Sequence, residues 1–145
     1  MTRDKKYHAL YEDKIFMGGA ADVKDMVLNE GIDVVVDLRA ESVECSYPEA
    51  SVEWVKIPLG DNAAGSQENL FRSAIDAVVG AYREGKKVAF HCGGGKGRTG
   101  TVAIGTLLEL GEASSIDEAE LKAKNIRSMI DVKPAQRESL EKLYS

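Results

Sequence analysis

With 145 residues, 43% of them apolar and 30% charged, the chain can bury a core unaided, which sets aside small folds that depend on disulfides or a structural metal. Its 24 acidic against 19 basic side chains leave a net charge of −5, and nothing general draws such a chain to nucleic acid or anionic lipid. Any anion it binds must be held by local groups. The first residues lack the apolar stretch of a signal peptide and no run is long enough to span a bilayer, so one cytoplasmic, monomeric domain over residues 1–145 is expected, with no membrane or nucleic-acid partner. The two cysteines, Cys45 and Cys92, make no disulfide framework, and two histidines make no zinc cluster. A free, reactive thiol is the better reading, and no metal or cofactor is called for.

In chain order, KYHALYEDKIFMG at 6–18 reads as one or two short edge strands closed by Gly18 and Gly19. Asp22 is placed to cap a helix to about Asn29, with Val23, Met26 and Val27 on one face and Gly31 near its end. IDVVVDL at 32–38 is apolar without interruption, the pattern of a strand buried on both faces. VEWVKIPL at 52–59 is a further strand and opens into the loop GDNAAG at 60–65. Ser66 then caps a long helix in which Leu70, Ala74, Val78 and Tyr82 recur, flanked by Phe71, Ile75 and Val79, until Gly85 closes it. KKVAFH at 86–91 is a strand, CGGGKGRTG a turn, and TVAIGTLLEL at 101–110 a second apolar helix. Ser115 and Glu118 form a capping box for a helix over 116–128, and Pro134 opens a last helix ending near Tyr144. Strands alternating with helices predict an α/β fold: a central, largely parallel twisted sheet flanked by helices on both sides, with a phosphate-binding loop between a strand and a helix.

That loop, HCGGGKGRTG at 91–100, answers the requirements of an anion one by one. Glycines at 93, 94, 95 and 97 let the backbone take positive φ and curl, turning successive N–H groups into one concavity. The following helix adds its N-terminal dipole, and Arg98 offers a planar fork for two phosphate oxygens. Lys96 adds a nearby charge, read either as a solvated loop residue or as a preference for highly anionic substrates. Cys92 stands at the mouth, where the field that attracts a phosphate favours thiolate over thiol. Thr99 can donate its hydroxyl to that sulfur, and His91 can brace the loop from behind. A nucleotide-binding Walker loop is excluded because Lys96 is followed by Gly97 and not by Ser or Thr.

On His91, Cys92, five intervening residues, Arg98 and Thr99, the chain resembles the protein tyrosine phosphatase superfamily, and most closely its compact dual-specificity members. KIFMGG at 14–19, GIDVVVDLRAE at 31–41 and Pro134-Ala135-Gln136 look like further elements of that family. The resemblance implies a cysteine-dependent phosphatase that takes no cofactor and attacks through Cys92. Arg98 and the loop amides of Gly93, Gly94, Gly95, Lys96 and Gly97 would hold the phosphate, while an aspartate on a mobile loop serves as general acid. Asp61, 31 residues before Cys92 in a glycine-flanked loop, fits that role; Asp76 is the alternative by spacing but sits within a helix. Gln136 is read either as orienting the hydrolytic water or as a helix-surface amide. The expected substrate is a phosphotyrosine, then a phosphoserine or phosphothreonine protein. The alternatives are the same chemistry on an inositol phosphate, lipid head group or RNA 5′ phosphate, and a phospho-binding module without turnover. Arg39 and Asp37 read as a structural ion pair, Cys45 as an inert thiol or a redox partner of Cys92, and His8 and Trp54 as packing or surface residues.

Overall fold

The computed structural model describes residues 6–49, 51–60 and 67–144. Five strands form one sheet: β1 (His8–Tyr11), β2 (Ile15–Gly19), β3 (Val34–Asp37), β4 (Glu53–Lys56) and β5 (Val88–Cys92), in the order β1-β2-β5-β3-β4. Only β1 runs antiparallel to its neighbour; β2, β5, β3 and β4 pair parallel. The central strands are apolar on both faces, and the two-residue period divides them cleanly. Ile15, Met17, Val34, Val36, Val88 and Phe90 enter one core, while Phe16, Val35 and Ala89 enter the other.

The helices divide the same way. The smaller core is covered by α1 (Val23–Glu30) through Val23 and Met26. The larger one packs against α2 (Glu68–Arg83), α3 (Gly97–Glu109), α4 (Ile116–Ile126) and α5 (Pro134–Tyr144). In α2, Phe71, Ala74, Ile75, Val78 and Val79 make the buried stripe. The expected α/β architecture, with helices on both sides of a mostly parallel sheet, is what the chain adopts.

Several local expectations change. β2 is no edge strand: it lies between β1 and β5, because its five consecutive buried residues need cover on both sides. The carboxylate of Asp22 accepts from the Gly19 N–H at 2.8 Å, so it secures the turn of 3-10 helix at Ala20–Asp22 and not α1. Gly31, at φ 70°, does close α1. α3 begins at Gly97, four residues earlier than its apolar run suggests, since glycine and polar residues build its first turn. Ser115 Oγ accepts from the Glu118 N–H at 3.1 Å, but Glu118 returns its bond to the Ser114 N–H, one residue short of a closed capping box. α4 stops at Ile126 because Arg127 is extended, at φ −134°. Ser66 lies outside the described residues; at the start of α2 the Gln67 N–H donates to Ser139 Oγ on α5 at 2.8 Å. No helix of the described residues is long and apolar enough to cross a membrane.

The register lines up the carboxyl ends of three strands: Gly19 of β2 pairs with Cys92 of β5, and Asp37 of β3 pairs with His91. At that end of an open parallel sheet the chain leaves for its helices, and ligands bind there.

Candidate active site

The turn from Cys92 to Gly97 is shaped by what holds its carbonyls. The Gly93 carbonyl accepts from the Ala20 N–H at 3.0 Å, and the Lys96 carbonyl accepts from the N–H groups of Gly100 and Asp131, each at 3.2 Å. The Gly95 carbonyl accepts from Arg127 Nε at 2.8 Å, and the Gly94 carbonyl lies 3.4 Å from Arg127 Nη2. The carbonyls are drawn outward. Among the described residues, none of the N–H groups from Gly93 to Gly97 has an acceptor. A row of amide donors with its carbonyls anchored outward is an anion nest. Of the loop glycines only Gly95 takes a positive φ, at 72°; Gly93, Gly94 and Gly97 do not, contrary to the uniform curl expected from composition. Gly97 is needed for room, since a Cβ there would meet the Gln136 amide at 2.9 Å.

Cys92 ends β5 with its side chain in the larger core and only 3% of the residue exposed. Thr99 Oγ1 lies 3.1 Å from Cys92 Sγ and 3.3 Å from the Gly18 carbonyl, so its single hydrogen serves one acceptor at a time. His91 is fully buried, and burial pushes its pKa down, outweighing the attraction of Asp37. It is neutral. Because Nδ1 sits 3.0 Å from the Cys92 carbonyl, which can only accept, the proton resides on Nδ1 and braces the backbone beneath the sulfur. Nε2 then faces Asp37 Oδ1 at 3.8 Å. Burial raises the Asp37 pKa, but the hydrogen bonds from Arg39 and Trp54 Nε1 bring it below the ordinary value. Arg39 clasps Asp37 through Nε and Nη2, each at 2.9 Å, so these two are a part-buried ion pair below the site. Trp54, read from sequence as a packing or surface residue, donates to Asp37 Oδ2 at 3.1 Å.

Arg98 occupies the first turn of α3 and is 3% exposed. Its Nη1 and Nη2 donate to the two carboxylate oxygens of Glu41 at 2.9 and 3.0 Å, and Nη1 also donates to the Leu59 carbonyl at 2.8 Å. The hydrogen bonds from Arg98 hold the Glu41 carboxyl down at about 2. Sequence reasoning missed Glu41: it lies within the stretch that looks like a family element, but 57 positions from its partner, and only its place just past a central strand hinted at the site. Arg127 was missed as well. It is 1% exposed and reaches the loop from the end of α4.

Gln136 corrects an expectation. It is 3% exposed and not a helix-surface amide: Oε1 accepts from the Lys133 N–H at 2.9 Å, capping α5, the amide packs against Gly97, and among the described residues its buried NH2 group has no hydrogen-bond partner. Lys96 is exposed at the start of α3. Asp61 lies outside the described residues. Asp76 is on the outer face of α2, paired with Arg72 at 3.2 Å, away from the turn. Cys45 and Cys92 are both free thiols and pack in the cores on opposite faces of the sheet, which favours the inert reading of Cys45.

Comparison with known proteins bears on the family and the fold. Residues 17–113 match the family described as "Polymorphic toxin system, DSP-PTPase phosphatase". The chain is 28% identical over 118 residues to human dual specificity protein phosphatase 1, a match covering 80% of this chain and 31% of that protein. It is 27% identical over 118 residues to dual specificity protein phosphatase 1-A of Xenopus laevis. The chain thus spans about a third of the length of these curated relatives. Among solved structures, human DUSP28 superposes with a TM-score of 0.82 at 19% identity, covering 98% of this chain and 95% of that one. PTPMT1 in complex with PI(5)P superposes with a TM-score of 0.79 at 19% identity, covering 96% and 94%. The fold is shared with both. With well over half its length matched by the family model, the chain belongs to the DSP-PTPase phosphatases, as a small dual-specificity-like member of the protein tyrosine phosphatase superfamily.

Proposed function

We propose that residues 1–145 act as one monomeric catalytic domain that hydrolyses phosphate monoesters through a phosphocysteine on Cys92, with phosphotyrosine proteins as first substrates and phosphoserine or phosphothreonine proteins as second. The observation that carries this reading is the set of amides from Gly93 to Gly97, their carbonyls tied outward, around a sulfur that has the Thr99 hydroxyl at 3.1 Å. In the first step the Cys92 thiolate attacks phosphorus while the ester P–O bond breaks. The loop amides and Arg98 hold the equatorial oxygens, and Asp61 gives its proton to the leaving oxygen. In the second step a water, oriented by the Gln136 NH2 group, attacks phosphorus. Asp61 takes its proton, the S–P bond breaks, and Thr99 receives the returning thiolate.

The test is hydrolysis of an aryl phosphate with a chelator present. The parent turns over, Cys92→Ser does not, and Asp61→Asn slows esters with poor leaving groups more than those with good ones. Full activity in Cys92→Ser refutes the mechanism. An Asp61→Asn chain with no such selectivity places the acid elsewhere. A second reading keeps the chemistry on a non-protein phosphate ester. Exposed Lys96 beside the nest supports it, as does fold likeness to a protein solved with PI(5)P. A panel of phosphopeptides against inositol phosphates separates the two. A phosphate-binding module without turnover is the outcome if the parent binds phosphopeptide and hydrolyses nothing.

A further inference from the structure

We propose that Arg127 is the positioning residue of the phosphate loop and that His8 secures it only while its imidazole is neutral, so that mild acid loosens the loop's hold on a bound dianion. The inference rests on the reading of the loop as phosphate-binding, and it concerns how that loop is kept in shape.

Arg127 is the largest fully buried side chain of the protein's described residues, and three of its contacts are to backbone carbonyls. Nε donates to the Gly95 carbonyl at 2.8 Å, Nη2 lies 3.4 Å from the Gly94 carbonyl, and Nη1 donates to the Lys6 carbonyl at 2.6 Å. A buried guanidinium costs several kcal/mol in lost hydration unless such acceptors replace the water. The loop carbonyls are part of that replacement. Each peptide unit carries its N–H opposite its C=O, so a cation outside the loop that pulls two successive carbonyls outward turns the intervening amides inward. Gly95 permits the approach: at φ 72°, a Cβ there would lie 2.4 Å from Arg127 Nη2.

The fourth acceptor is the one that can change. His8 Nδ1, on β1, lies 3.1 Å from Arg127 Nη1, and since the guanidinium has only donors, Nδ1 must carry the lone pair. Protonation replaces that lone pair with a second donor and sets two cations side by side. The charged groups facing His8 are Arg127, from the end of α4, and Asp22, from the 3-10 turn after β2. Burial lowers the His8 pKa first and Arg127 lowers it further, while Asp22 raises it, with a net shift downward. The neutral form therefore prevails at neutral pH, and the acceptor is lost as pH falls below the lowered value. Arg127 also lies in the field of Cys92, so the sulfur must be removed from the measurement.

The experiment is calorimetric titration of inorganic sulfate into the full chain carrying Cys92→Ser, alone and with His8→Gln, between about pH 5 and pH 7.5. Sulfate stays doubly charged throughout, and glutamine offers an acceptor that never protonates. The expected result is a loss of roughly fivefold or more in sulfate affinity toward the acid end in the Cys92→Ser chain and a flat profile with His8→Gln added. His8→Phe, which has no acceptor, weakens binding at every pH. The same acid loss in both chains, a flat profile in both, or full affinity in His8→Phe overturns the proposal. Arg127→Lys is a harsher variant that risks the fold, which is why the His8 set decides. Aryl phosphate hydrolysis by the parent is run beside it. Sulfate binding with the expected profile but no turnover would sink the phosphatase reading and leave the anchor standing.

Discussion

Replacing Gly95 by alanine tests whether the loop's shape, and not merely its composition, makes the site. At φ 72° a Cβ would lie 2.4 Å from Arg127 Nη2 and 2.8 Å from both the carbonyl carbon and oxygen of Gly18. The left-handed conformation costs an L-residue about 1–2 kcal/mol, and crowding of this kind adds about 1–3 kcal/mol, because Gly18 is strand backbone and cannot swing aside. A destabilisation of about 3 kcal/mol lowers Tm by roughly 6–12 °C in a chain of this size. The greater effect is on chemistry. To relieve the clash the loop must move by something near an ångström, and a misplacement of that size costs about 100-fold in rate. Urea denaturation followed by circular dichroism gives the first number and kcat/KM on an aryl phosphate the second, measured at a temperature where the variant is folded. Activity within threefold of the parent, in a variant destabilised by less than about 1 kcal/mol, would refute the reasoning that Arg127 and Gly18 clamp this turn.

Glu41→Gln removes the carboxylate that grips both ends of the Arg98 fork and should lower kcat/KM about tenfold, near 1.4 kcal/mol, with the loss read chiefly in KM for phosphate esters. The same variant has a pH signature. A carboxyl held down at about 2 in the folded chain, against an ordinary 4.5, stabilises the fold above that ordinary value and ceases to do so as pH falls toward 2. The parent should therefore lose more stability than Glu41→Gln across that window in acid denaturation followed by fluorescence; equal losses contradict the pairing. Thr99→Val should lower kcat by about tenfold with KM nearly unchanged, and Thr99→Ser should restore most of it, as steady-state kinetics would show. Gly80→Ala, in the interior of α2 where a Cβ meets nothing within 4 Å, should stabilise the fold by about 0.5–1 kcal/mol in urea denaturation, and a loss of stability would show that α2 needs the glycine.

Much of the framework was readable because hydrophobic period reports burial directly. The uninterrupted valines of β3 announced a strand covered on both faces, and the stripe in α2 announced its one buried side. What could not be read is whatever depends on strand order. β2 looked like an edge because residues 6–18 alternate only loosely between apolar and polar, yet the register with β5 places it inside the sheet. The candidate site divides in the same manner. Cys92, Thr99, Arg98 and the glycines are consecutive, so their mutual geometry follows from one turn entering one helix. Glu41, Arg127 and His8 come from three other elements, and no local pattern distinguishes a glutamate that clasps Arg98 from one on a solvated loop. Gln136 was visible as a residue but not as a buried one, because its contact with Gly97 exists only once α5 docks beside the turn.

The most direct measurement is mass spectrometry of the chain quenched in acid during turnover of an aryl phosphate, with peptide mapping of the modified residue. The account predicts one phosphate, carried by the peptide containing Cys92, enriched when Asp61→Asn slows the second step and absent from Cys92→Ser. A phosphate found on another residue, or steady turnover by Cys92→Ser, would contradict it.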